Sequence, residues 1–131
     1  MTPELTTLAL AILLHMALMA AYSVKANREL GPKYPLSPRD AAPPKPLSPG
    51  CARMQRSVNN SFESLILFAP VALMVGLTGQ STEATATFAA IFLIARLLYI
   101  PAYVAGLVPW RSLIWGVGFF ATLALAIAAL I

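Results

Sequence analysis

The chain has 131 residues, of which 59% are hydrophobic and only 11% charged, with a mean hydropathy of +0.76. That balance excludes an ordinary water-soluble domain of this size. One cysteine, Cys51, excludes a disulfide scaffold, and one histidine, His15, leaves no set of side chains spaced to hold a metal. The net charge of +4 does not point to nucleic acid, because the basic residues are gathered in one segment.

Charge-free runs cover residues 5–24, 64–82, 84–95, 97–110 and 112–131. A membrane-spanning helix needs about 20 mostly apolar residues. Four spans are therefore expected, at about 5–24, 52–77, 84–106 and 112–131, the third admitting Arg96. The first run follows Met1-Thr2-Pro3-Glu4, acidic where a secretory signal is basic, and is long enough to cross, so it is expected to stay as a helix without an acid of its own. His15, in the middle of it, is expected to make an interhelical hydrogen bond.

Between the first two spans, about residues 27–50, lie seven of the eleven prolines, at 32, 35, 38, 43, 44, 46 and 49. Proline lacks an amide hydrogen and fixes its own φ, so this is an extended loop with little to bury. It and its flanks carry Lys25, Arg28, Lys33, Arg39, Lys45, Arg53 and Arg56, seven of the nine basic residues. By the positive-inside rule the loop is cytoplasmic, and both termini lie on the opposite side. Ser48-Pro49-Gly50 marks the start of the second helix. Pro70 and Pro101 fall inside helices, Pro109 marks the third turn, and Trp110 and Trp115 read as interfacial anchors.

Ionisable groups inside a membrane are costly and call for partners or a function. Arg53, Arg56, Asn60 and Glu63 are spaced by 3, 4 and 3, which keeps them on one face of the second helix. Arg96, Tyr99 and Tyr103 share a face of the third. Two polar stripes on neighbouring helices predict a polar cavity between them, and Glu63 at about 25 Å depth and Arg96 at about 18 Å differ by little more than an arginine can reach, which predicts a Glu63–Arg96 ion pair. Polar contacts that merely hold helices together are the other reading.

These residues resemble the motifs of the membrane-associated proteins in eicosanoid and glutathione metabolism, the MAPEG family. Arg56-Ser-Val-Asn-Asn60-Ser-Phe-Glu63 fits its R-x3-N-x2-E pattern, Arg96-Leu-Leu-Tyr99-Ile-Pro-Ala-Tyr103 its R-x2-Y/H-x3-Y run, and Pro109-Trp-Arg111-Ser112 its P-x-R-S turn. The resemblance implies a single all-α domain, a four-transmembrane-helix bundle in the lipid bilayer assembled as a homotrimer, with glutathione and a hydrophobic co-substrate as partners. It implies glutathione contacts at Arg56, Asn60, Glu63, Tyr99 and Tyr103, supported by the charges of Arg53 and Arg96. Arg111, with Ser112 beside it, is implied as the catalytic pair that stabilises the thiolate. A free thiol of pKa about 8.5 is only slightly ionised at neutral pH, so a nearby cation and a hydrogen-bond donor raise the reactive fraction.

The implied activity is a glutathione-dependent transferase or peroxidase acting on lipophilic electrophiles or lipid hydroperoxides. A non-catalytic lipid- or ligand-binding protein of the same fold is a second reading. A small proton-coupled multidrug exporter is a third; it fits poorly with an acid-free first helix and a long proline-rich loop.

Overall fold

The computed structural model describes residues 1–131 and contains four helices: α1 (Pro3–Leu30), α2 (Pro49–Leu77), α3 (Glu83–Val104) and α4 (Trp110–Ala128). All four are long and apolar enough to cross a membrane, so the chain is an integral multi-pass membrane protein. α1 packs against α2 and α3, α3 pairs with α4, and α2 touches both α3 and α4, while α1 and α4 do not meet.

The helix ends follow local chemistry. Thr2 accepts a hydrogen bond from the Leu5 amide, and Pro3 occupies the first turn, where a missing amide hydrogen costs nothing. α1 therefore starts earlier than expected and includes Glu4. It continues past Val24 because Lys25 to Leu30 are compatible with helix, and it stops at Gly31, whose φ of 79° suits a residue without a Cβ, just before Pro32. At about 1.5 Å per residue, α1 and α2 are both longer than the roughly 30 Å of hydrocarbon, so each has a turn or more beyond it.

Ser48 starts α2. Its hydroxyl accepts from the Cys51 amide at 3.2 Å and donates to Glu29 at 2.8 Å. The other Glu29 oxygen accepts from the Ser48 amide at 2.7 Å. The proline-rich excursion of residues 31–48 is thus closed at its base by one carboxylate from the end of α1. Thr82 and Thr85 form a reciprocal capping box at the start of α3.

The core lies between α1, α2, α3 and the C-terminal half of α4, around Leu8, Ala11, Val71, Ala72, Val75, Ala89 and Leu125. Phe68 and Phe92 stack at its centre with ring centroids 3.9 Å apart. Small residues set the helix spacing, as membrane packing favours: a Cβ added at Gly118 would lie 3.3 Å from the Cβ of Ala95.

Glu4 corrects the expectation of an acid-free first helix. It is fully buried and accepts from the Ser81 hydroxyl at 2.8 Å and from the Thr85 hydroxyl. The carboxylate ties the start of α1 to the turn between α2 and α3.

Candidate functional site

At about 100° per residue, the polar positions of α2 span nearly half of its circumference. Arg53 is central, with Asn60, Arg56 and Glu63 on one side and Ser57 and Ser61 on the other. The two sides meet different neighbours.

Arg53 turns toward the end of α3, where its Nε donates to the Val104 carbonyl at 2.8 Å. A cation at a helix C-terminus satisfies an orphan carbonyl and complements the helix dipole. Arg56 donates through Nε to the Tyr103 hydroxyl at 3.2 Å. Arg111, from the first turn of α4, lies over the Tyr103 ring at 4.9 Å from its centroid. Tyr103 leans on Tyr99, with centroids 5.5 Å apart, and Arg96 lies over the Tyr99 ring at 4.3 Å. Two tyrosines of α3 therefore string together three guanidinium groups from three helices. Each ring face offers the electron density that a cation favours.

The upper end of this string opens into a cavity of about 320 Å³ between α2, α3 and α4. Asn60, Glu63, Ser64 and Arg96 give it a polar wall; Leu67, Phe92, Trp115, Phe119 and Leu123 give it an apolar one. Arg96 is 5% exposed, while Glu63 is exposed on the outer flank of α2. The Oδ1 of Asn60 is buried without a hydrogen-bond partner.

The expected Glu63–Arg96 ion pair does not form. Arg96 Nη2 donates instead to Ser61 Oγ at 2.8 Å. Ser61 and Glu63, two positions apart, project from nearly opposite sides of α2, and the guanidinium reaches the serine side. Ser112 also stands apart: it is exposed, and only its backbone is engaged, its amide donating to the Pro109 carbonyl at 3.0 Å. His15 makes no hydrogen bond through Nδ1, which is buried without a partner; its ring stacks on Phe62 at 5.9 Å.

Arg56, Tyr99, Tyr103, Arg96 and Arg111 come together in one string, and Asn60, Glu63 and Arg96 share one cavity. Ser61, Ser64, Trp115 and Phe119 were missed from the sequence. Ser57 and Ser61 follow Arg53 at four-residue steps, a usable signal for hydroxyls on a polar flank; Trp115 and Phe119 have the same step on α4, but Trp115 reads from the sequence as an interfacial anchor.

No curated protein and no solved structure matches the chain. The model of the MAPEG family matches residues 5–131, essentially the whole of it, and on four apolar helices with this arrangement the protein belongs to the MAPEG family.

Proposed function

We propose that the protein is a glutathione-dependent transferase or peroxidase that acts in the membrane on lipophilic electrophiles or lipid hydroperoxides. The observation that carries this reading is the convergence of Arg56, Arg111 and Arg96 on two tyrosines beside the cavity, with no carboxylate paired to Arg96. Glutathione has two carboxylates, one ammonium group and one thiol. The guanidinium groups of Arg56 and Arg96 suit the carboxylates, Glu63 suits the ammonium, and the unpartnered Asn60 Oδ1 suits an amide or ammonium hydrogen. Arg53, bound to the Val104 carbonyl, supports the site by fixing α2 against the end of α3.

When bound, glutathione would supply the nucleophilic or reducing thiol. The chain's part is to favour the ionised form. Arg111 is held over Tyr103 at the N-terminus of α4, where helix dipole and guanidinium act with the same sign. Ser112 has a free hydroxyl that can donate to the sulfur. The apolar wall of Trp115, Phe119 and Leu123 suits the lipophilic co-substrate.

We also infer a homotrimer with the site completed between copies. Glu63 is exposed midway along α2, beside Phe62, Ile66 and Leu67, each more than half exposed. A carboxylate in that position is costly against lipid and is relieved by a neighbouring copy. The basic loop of residues 31–48 faces the cytoplasm and the termini the other side.

Thiol absorbance tests the assignment. In lipid nanodiscs, wild-type protein is expected to increase the thiolate band of added glutathione at neutral pH, and Arg111→Ala to remove the increase. Identical, solution-like titrations for both would overturn the catalytic role. The apolar wall also favours the reading of a ligand-binding protein without catalysis, and that reading requires a bound lipophile together with no thiolate signal in the wild type.

A further inference from the structure

α1 does not line the 320 Å³ cavity, but it meets Arg96 from behind. His15, Ser61 and Arg96 share a second, much smaller cleft of about 10 Å³, and the five other residues around it are apolar. His15 Nδ1 is buried and unpartnered. Its ring lies beside Phe62, with centroids 5.9 Å apart and an interplanar angle of 26°.

Each of the three polar groups has unused hydrogen-bonding capacity. A guanidinium carries five N–H donors, and Arg96 donates to protein only through Nη2, to Ser61. Ser61 Oγ accepts that bond and retains its own hydrogen. Neutral imidazole with its proton on Nε2 offers Nδ1 as an acceptor. A buried acceptor without a partner is expensive, and a cleft of this size, at the lower limit for one molecule, takes a water when two to four polar groups surround it.

We propose that one water molecule occupies this cleft, accepting from Arg96 and the Ser61 hydroxyl and donating to His15 Nδ1. The water links α1 to the wall of the larger cavity. His15 is thereby a positioning residue: through the water it fixes the plane in which the Arg96 guanidinium faces the cavity. The link is structural and independent of any substrate, whereas its consequence for thiol binding rests on the function proposed above.

The link can be read directly, because His15 is the only histidine. Protein labelled with ¹⁵N-histidine, prepared without a histidine tag and studied by solid-state NMR in hydrated bilayers, gives one imidazole. The expected spectrum has the proton on Nε2, a water-proton contact to Nδ1, and an Nδ1 resonance that moves in Ser61→Ala. A proton on Nδ1, or no water contact and no movement in Ser61→Ala, overturns the proposal. The positioning role is tested by glutathione titration of His15→Phe and His15→Gln. Losing one hydrogen bond behind Arg96 should weaken binding by about 3- to 10-fold in His15→Phe, while His15→Gln, which retains an acceptor, stays nearer to wild type. Equal affinity in His15→Phe and wild type overturns the positioning role. If wild type binds no glutathione the function proposed above fails, and the NMR result still decides whether the water link exists.

Discussion

Arg96 donates to Ser61 Oγ at 2.8 Å and leaves Glu63 unpaired, although both side chains line the same cavity. A hydroxyl and the face of Tyr99 orient the guanidinium without neutralising it. Desolvating a charge that lacks an opposite charge costs stability, so the arrangement makes sense where the charge is kept for a ligand. Arg96→Met tests this by retaining length and removing the cation. Its thermal midpoint should match or exceed that of the wild type, while glutathione affinity falls by about tenfold or more, the scale of a lost charge-assisted bond. Calorimetric titration and thermal unfolding in the same detergent measure both. A large loss of stability with unchanged affinity would mean that Arg96 only holds helices together.

Tyr103 does two separable jobs. Its hydroxyl accepts from Arg56 and its ring lies beneath Arg111. Tyr103→Phe should release Arg56 but keep Arg111 in place, weakening glutathione binding by about 3- to 10-fold with the thiolate signal of the bound fraction preserved. Tyr103→Leu removes the ring as well, so the thiolate signal should also fall. The comparison uses absorbance at saturating glutathione. The same loss of signal in both variants would show that the hydroxyl, not the ring, organises Arg111.

The four spans and the two polar stripes were legible because the signals are periodic: apolar runs of membrane length, and Arg56, Asn60 and Glu63 recurring near one helical face. The partner of Arg96 was not. Depth along the helix axes suggested Glu63, but the outcome depends on rotation about the axis of α2, which puts Ser61 toward α3 and Glu63 outward. Nor was Glu4 legible, since a charge before an apolar run reads as a solvated end. Its burial requires Ser81 and Thr85, which are distant in sequence and are brought to it by the turn between α2 and α3.

Ser48 is expected to control the loop. Its hydroxyl simultaneously caps α2 and binds Glu29, so Ser48→Ala should cost about 1 kcal/mol, the usual loss for an N-cap. The base of the excursion would open more often. Trypsin should then cut faster at Lys33 and Arg39, both exposed, with little change in glutathione affinity because the cavity lies elsewhere in the bundle. Time-resolved digestion followed by mass spectrometry measures the rate at each site. An unchanged digestion pattern would show that the prolines alone hold the loop.

Glu4 should matter for stability and hardly at all for binding. Its oxygens take hydrogen bonds from Ser81 and Thr85, and the residue has no exposed surface. Glu4→Ala leaves both hydroxyls without this acceptor and opens space in the first turn of α1, at a cost of about 2–4 kcal/mol. Glu4→Gln retains one acceptor oxygen but introduces an NH₂ group facing hydroxyls that now donate, so one contact must rearrange, and an intermediate loss is expected. Thr85→Val separates the carboxylate from the capping box: it removes a donor to Glu4 and also the hydroxyl that accepts from the Thr82 amide at 2.8 Å. If Glu4→Ala and Thr85→Val are combined, their losses should add to less than the sum of the single variants, because each already breaks the same contact. Full additivity in thermal or denaturant unfolding would mean that Glu4 is stabilised chiefly through Ser81, leaving Thr85 to serve α3 alone.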